Sequence, residues 1–261
     1  MSAAPFLSVR DLRVFHGEKE LVRGVSFQAG RGRVAGILGE SGCGKSLTCM
    51  ALMDLLPPGL RRTGEVLLEG RPFSGASNRE ILGRGVAVIL QNPMSCFDSV
   101  FTIRSHFEET LKAHGRGGND ARYRECLREV GLGGESRLLD LYPFQLSGGM
   151  LQRVMIALAL IMDAPFLIAD EPTTDLDAVN QARVLALLES LKANRGMGMI
   201  IVTHDLGVMA RLADDVIVMR HGAVVEAGTV HEIFASPREA YTAELLAAHL
   251  RLSCAGEGDG R

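Results

Sequence analysis

The residues with chemistry in them fall at a few places. Gly39-Glu40-Ser41-Gly42-Cys43-Gly44-Lys45-Ser46-Leu47 sets three glycines around a lysine and a hydroxyl, directly after the apolar run Val34-Ala35-Gly36-Ile37-Leu38. This matches G-x-x-x-x-G-K-[ST], a loop that cradles phosphate. Glycine lets the backbone curl until several N–H groups face one anion. The helix expected over 47–56 adds the positive end of its dipole. Lys45 then reaches the β- and γ-phosphates, and the Ser46 hydroxyl sits on a divalent cation. We read the stretch from Gly39 to Leu47 as the nucleotide-contacting segment.

A second place is Phe166-Leu167-Ile168-Ala169-Asp170-Glu171-Pro172, an apolar strand ending in two acids. Adjacent carboxylates at a buried strand end are costly without compensation. A divalent cation beside a triphosphate supplies it. Gln91-Asn92-Pro93 closes another apolar strand, Val86–Leu90, and His204 follows a third, Met199–Thr203. Such strand ends are where α/β sheets place ligands. Ser147-Gly148-Gly149 opens an apolar helix running to Met162 and forms a second anion site of N–H groups and dipole.

The elements that must position these residues follow from periodicity. Residues 6–33 alternate apolar and polar around His16-Gly17-Glu18, as short antiparallel strands do. A strand over 64–70 follows the loop helix. Between residues 94 and 141 the spacing becomes helical (Ile103, Phe107, Leu111; Leu127, Val130), so we expect a helical insertion between core strands. A helix over 178–191, a hairpin about His221-Gly222 and a helix over 237–250 complete the chain, with 253–261 frayed. The chain has 261 residues, 47% hydrophobic and 23% charged, enough for one sizeable core. A net charge of −3 gives no basic patch and disfavours nucleic acid as a partner. Lysine occurs only at 19, 45, 112 and 192, which makes Lys45 conspicuous. The five cysteines, Cys43, Cys49, Cys96, Cys126 and Cys254, lack zinc or disulfide spacing and read as reduced thiols without a catalytic role. Met1-Ser2-Ala3-Ala4-Pro5 lacks the features of a signal peptide, and the longest apolar run, 154–162, is too short to span a bilayer. A soluble, cytoplasmic chain is expected.

Six motifs stand in one order: the glycine loop, Gln91, Leu146-Ser147-Gly148-Gly149-Met150-Leu151-Gln152-Arg153, Asp170-Glu171, Thr174-Asp175-Leu176-Asp177 and His204. Together they resemble the ATP-binding cassette of ABC transporters over essentially the whole chain. The resemblance implies an α/β phosphate-loop NTPase cassette with a RecA-like core, an N-terminal antiparallel β subdomain and an inserted α-helical subdomain. It implies one domain over 6–250, with core and β subdomain at 6–92 and 163–235, the helical subdomain at 93–162, and a short C-terminal helix and tail at 236–261. Its cofactors would be ATP and Mg²⁺, the latter held by Ser46, Gln91 and Asp170. Glu171 would polarise the attacking water, His204 would contact the γ-phosphate, and Gln91 would sense both metal and water. Ser147, Gly148 and Gly149 would act on the ATP of a partner cassette, and Asp177 would belong to a loop crossing that interface. The adenine-stacking residue would be Phe15 or His16.

Details such as Tyr142-Pro143-Phe144, Ser147–Arg153, Ala169–Asp177 and Ala210–Asp215 resemble the peptide, opine and nickel importer group. Met150 and Asp175 depart from the commoner ABC pattern but suit this group; Phe97-Asp98-Ser99 replaces its usual asparagine-proline pair. The resemblance implies an ATPase subunit driving uptake of nickel or a nickel complex. Its partners would be a second ATPase subunit in a heterodimer, two membrane permeases and, indirectly, an extracytoplasmic binding protein. It would be peripheral, at the cytoplasmic face of the membrane. The transported metal should not bind the cassette, since His221, His231 and His249 are scattered. A di- or oligopeptide importer, or an importer of another metal chelate, would use the same cassette. A DNA-repair or translation ABC ATPase would carry coiled-coil, zinc or duplicated insertions that the sequence lacks, and a GTPase would need N-K-x-D.

Overall fold

The computed structural model describes residues 5–73 and 81–256, with side chains to 249. Met1–Ala4, the tail beyond 256 and the Cys254 side chain, on which expectations were stated, lie outside the described residues. The chain divides into two units, residues 1–74 with 199–261, and residues 75–198.

In the first unit, β1 (Leu7–His16) and β2 (Lys19–Ala29) form a hairpin, and β4 (Leu60–Leu68) and β5 (Arg71–Pro72) extend it in the order β2-β1-β4-β5. Buried and more exposed positions alternate over Leu12–Phe15 and Val25–Ala29, as in an antiparallel sheet with one wet face. They are longer than expected, because pairing continues through bulges about Asp11 and Arg13. The second sheet of this unit centres on β3 (Val34–Leu38), parallel to both β8 (Gly198–Thr203) and β9 (Asp215–Arg220). Every residue of β3 and β8 is buried, which suits strands covered on both faces. β10 (Ala223–Thr229) returns antiparallel on β9.

Helix α1 (Lys45–Leu52) begins two residues before the expected start and stops four before the expected end. Asp54, with φ 58, turns the chain out of helical geometry. Two short helices, α6 (Leu206–Leu212) and α7 (Val230–Ala235), were not foreseen. Six or seven residues carry less than two full periods of an apolar pattern. The capping box Thr229–Glu232 was nevertheless readable: Glu232 N donates to Thr229 Oγ1 at 3.2 Å and Thr229 N to Glu232 Oε2 at 2.8 Å. The last helix, α8 (Ala240–Gly256), passes the residue where fraying was expected.

The second unit holds β6 (Val86–Ile89) and β7 (Phe166–Asp170), parallel, with helices α2 (Ile103–Ala113), α3 (Asp120–Glu129), α4 (Gly148–Leu160) and α5 (Ala178–Arg195). All four helices start at side-chain caps, Thr102, Asn119, Ser147 and Asp177. Phe107 stacks on Tyr123 at 5.2 Å between ring centroids and joins α2 to α3. The apolar helix α4 buries Leu151, Val154, Ile156, Ala157 and Leu160, so it is the core of its unit.

Candidate functional site

In the first unit the register of the parallel strands assembles a loop cluster. Leu38 pairs with Thr203 and with Val218, so Gly39 and His204 leave β3 and β8 at the same edge, level with Met219 near the end of β9. Gly39 meets its neighbours closely: a Cβ there would lie 2.3 Å from the Met219 carbonyl oxygen and 2.7 Å from Cys43 Sγ. The loop then turns through Gly42 and Gly44, with φ of 79° and 105°, conformations that only glycine adopts without strain. Gly44 is the N-cap of α1 and offers no side-chain cap, which leaves the N–H groups of the first turn facing the loop. Lys45 is only 6% exposed, and its Nζ donates to the Gly39 and Glu40 carbonyls at 2.8 and 2.9 Å. Glu40, Ser41 and Gly42 are exposed, Cys43 is buried, and Ser46 and Leu47 are half-buried. Burial holds the Cys43 thiol above its ordinary pKa, which keeps it protonated and unreactive near neutrality.

The loop is fastened from far along the chain. Gly222 N, in the β9–β10 turn, donates to the Cys43 carbonyl at 2.9 Å. The Tyr241 hydroxyl, at the start of α8, accepts from Glu40 N at 3.4 Å, and Arg220 lies 4.6 Å from the centroid of the same ring. Sequence reading missed both, because no local pattern connects residues some two hundred positions apart. Of the two adenine candidates, Phe15 is half-buried with the Arg61 guanidinium 4.1 Å from its ring centroid, while His16 is exposed.

In the second unit, Ile89 pairs with Ala169, so Gln91 and the acid pair leave the same end of β6 and β7. Asp170 and Glu171 are 4% and 5% exposed. Glu171 has φ 48, a left-handed conformation that costs a non-glycine residue on the order of 1–3 kcal/mol and clusters at working sites. Thr174 Oγ1 donates to Glu171 Oε2 at 2.9 Å. The buried Gln152 of α4 donates from Nε2 to the Pro172 carbonyl at 2.8 Å, tying the helix that begins at Gly148 to the acid turn. Gln91 is exposed and precedes a turn capped by Asn92, whose Oδ1 accepts from Met94 N at 3.0 Å.

Ser147 caps α4 by accepting from Met150 N at 3.3 Å, and Gly148 is exposed. Asp177 caps α5, accepting from Asn180 N at 2.9 Å and from Asn180 Nδ2 at 2.6 Å. These bonds, with lesser help from Val179 N and the Arg183 charge, hold the Asp177 carboxyl below the usual carboxylate range. The structure thus gathers the loop and His204 in one unit, and Gln91, Asp170 and Glu171 in the other. Among the described residues no group of three or more His, Cys, Asp or Glu could hold a metal by itself. Two buried carboxyls, with the Thr174 hydroxyl beside Glu171, fit Mg²⁺, which takes one or two carboxylates and completes its shell with water and substrate phosphates.

A match to the family of ABC transporters covers residues 22–174, from β2 through the acid turn. The nickel import ATP-binding protein NikD of Rhodospirillum rubrum is 55% identical over 235 residues, covering 89% of each chain. Among solved structures, an ATP-binding subunit of an ABC transporter superposes with TM-score 0.75 at 29% identity, covering 94% of this chain and 99% of its own. A dimeric bacterial ABC transporter cassette gives TM-score 0.74 at 26% identity, covering 86% of this chain and 98% of its own. The fold is therefore the ABC ATPase cassette, with a RecA-like core, an N-terminal antiparallel β subdomain and an inserted helical subdomain, and the chain belongs to the ABC transporter family.

Proposed function

We propose that this chain is the ATP-hydrolysing subunit of an importer that takes up nickel or a nickel complex through membrane permeases. The observation that carries ATP hydrolysis is the buried Asp170–Glu171 pair, strained at Glu171, in a chain that also offers a glycine-cradled, buried Lys45. Phosphoryl transfer to water needs positioning and charge neutralisation more than a strong nucleophile, and these residues supply both. In this reading Gly39 to Leu47 wrap the phosphates of ATP, and Lys45 exchanges its two carbonyl partners for phosphate oxygens. Glu171 orients the attacking water and takes its proton, Gln91 contacts water and metal, and His204 contacts the γ-phosphate. Mg²⁺, held by Ser46, Asp170 and Gln91, would neutralise charge on the phosphates. Ser147, Gly148, Gly149 and Asp177 serve the nucleotide of a second cassette, in a heterodimer. We assign residues 6–250 to one working cassette with the internal divisions expected above.

Nickel as cargo rests on the relative named a nickel import ATP-binding protein. Association with permeases is supported by exposed apolar side chains on two segments of the second unit, Val100 and Phe101 on one and Tyr142 and Phe144 on the other, where Tyr142 and Phe144 stack at 5.6 Å. Ile103 N donates to the Leu141 carbonyl at 2.9 Å, which draws the two segments together. A patch of this kind marks an interaction surface. Among the described residues no helix is long and apolar enough to cross a membrane, in keeping with peripheral attachment at the cytoplasmic face through those permeases. The test is nickel uptake in a deletion strain complemented by the native chain or by Glu171→Gln. Uptake restored by the native chain alone supports the reading; restored peptide uptake without nickel uptake replaces the cargo.

A further inference from the structure

The two glycines after Ser147 are not equivalent. A Cβ at Gly148 would meet open space, whereas a Cβ at Gly149 would lie 2.5, 2.7 and 2.8 Å from Asn180 Cγ, Oδ1 and Nδ2. Contacts under 3.0 Å force something to move. Moving the Asn180 amide is not free, because its Nδ2 donates to Asp177 Oδ2 at 2.6 Å while its backbone N donates to Asp177 Oδ1 at 2.9 Å. Gly149 is held from its other side too, since Arg153 Nε donates to its carbonyl at 3.2 Å. Asn180 is half-buried, and Gly149 is buried against it.

We propose that Asn180 is a positioning residue that locks the start of α4 and the Asp177 carboxylate into one surface, presented together to the partner cassette's nucleotide. The proposal rests on the reading above that Ser147–Gly149 and Asp177 act across a cassette dimer, and it adds the link between them. Gly149 is then glycine because a side chain there would dislodge the amide that orients Asp177, and not only because a phosphate approaches its backbone. Asn180 touches no substrate in this scheme; it acts through Asp177 and the helix start. A displacement of about 1 Å at such a site is enough to cost large factors in rate.

The experiment uses the full chain, co-purified with its partner subunits, as wild type, Gly149→Ala, Asn180→Ala and the double variant, with ATP turnover measured at saturation. Gly149→Ala should slow turnover roughly ten- to a hundredfold, and Asn180→Ala about three- to tenfold, the loss of one ordinary solvent-accessible hydrogen bond. In the double variant the alanine methyl occupies the space the amide leaves, so turnover should return to within about twofold of Asn180→Ala. A second readout, the ¹³C-carboxyl titration of Asp177 in the full chain, needs no turnover. Its midpoint should move up toward the ordinary carboxylate value in Gly149→Ala and in Asn180→Ala alike, while the Arg183 charge stays common to all variants. A double variant as slow as Gly149→Ala, or an Asp177 midpoint that Gly149→Ala leaves in place, overturns the proposal. Should the wild-type assembly bind ATP without hydrolysing it, the hydrolytic reading fails and the Asp177 titration alone decides the link.

Discussion

Helices α1 and α4 both have glycine at the N-terminus, Gly44 as the cap of α1 and Gly148 as the first residue of α4, yet they are built on opposite terms. Helix α4 carries its own cap: the Ser147 side chain caps it, and no charged residue sits in its first turn. Helix α1 has Gly44 as its N-cap, no side-chain cap, and a lysine as its first residue. A cation at the positive end of a helix dipole is unfavourable by itself. Here Lys45 is restrained by two loop carbonyls, and the loop by Gly222 and Tyr241 from elsewhere in its unit. A helix start that is unfavourable alone and fastened from outside is prepared for an anion. One that caps itself keeps its geometry whether or not an anion is present. In our reading the first holds this chain's own ATP, and the second is offered to a neighbour's.

That contrast can be broken or sharpened by substitution. The largest effect should come from Glu171→Gln, which leaves both helix starts intact and should slow hydrolysis by roughly 10²–10⁴, the range for a general base. ATP should still bind, and near-wild-type turnover would remove Glu171 from its assigned role. Lys45→Ala should weaken ATP binding by roughly ten- to a hundredfold, as loss of a charge-assisted contact does. Unchanged affinity by calorimetry would refute the assignment of α1 to this chain's own nucleotide. Gly39→Ala drives a methyl into the Met219 carbonyl and should destabilise the fold by about 1–3 kcal/mol in urea unfolding, in addition to any loss of binding. The smallest effect should be at α4: Ser147→Ala loses a cap, about 1 kcal/mol of stability, with calorimetric ATP affinity of the isolated chain unchanged. A drop in that affinity comparable to Lys45→Ala would erase the distinction between the two helix starts.

Much of this contrast was legible in the residues. The apolar run at 34–38, the glycine spacing and Lys45 announced a strand, an anion loop and a helix, because each is a local consequence of side-chain type and period. The acid-tipped strand at 166–170 was legible for the same reason. The boundaries of α1 were not, since the chain leaves helical geometry through a left-handed torsion at Asp54, which the apolar period does not record. Helices α6 and α7 were too short for their period to register, although Asp205 and Thr229 are caps in plain view.

The sequence by itself therefore determined the chemistry present: a phosphate-shaped loop, a buried carboxylate pair, a second helix start, and their order along the chain. Periodicity, capping and glycine torsions act over a few residues, so their signals survive in the linear text. Only the tertiary structure decided which groups meet. The parallel register of β3 with β8 and β9 sets Gly39, His204 and Met219 at one edge, Gly222 and Tyr241 reach back to the loop, and Asn180 fills the space that Gly149 leaves. Those meetings depend on packing between distant segments, where the fit of whole surfaces selects the neighbour and no short pattern records it.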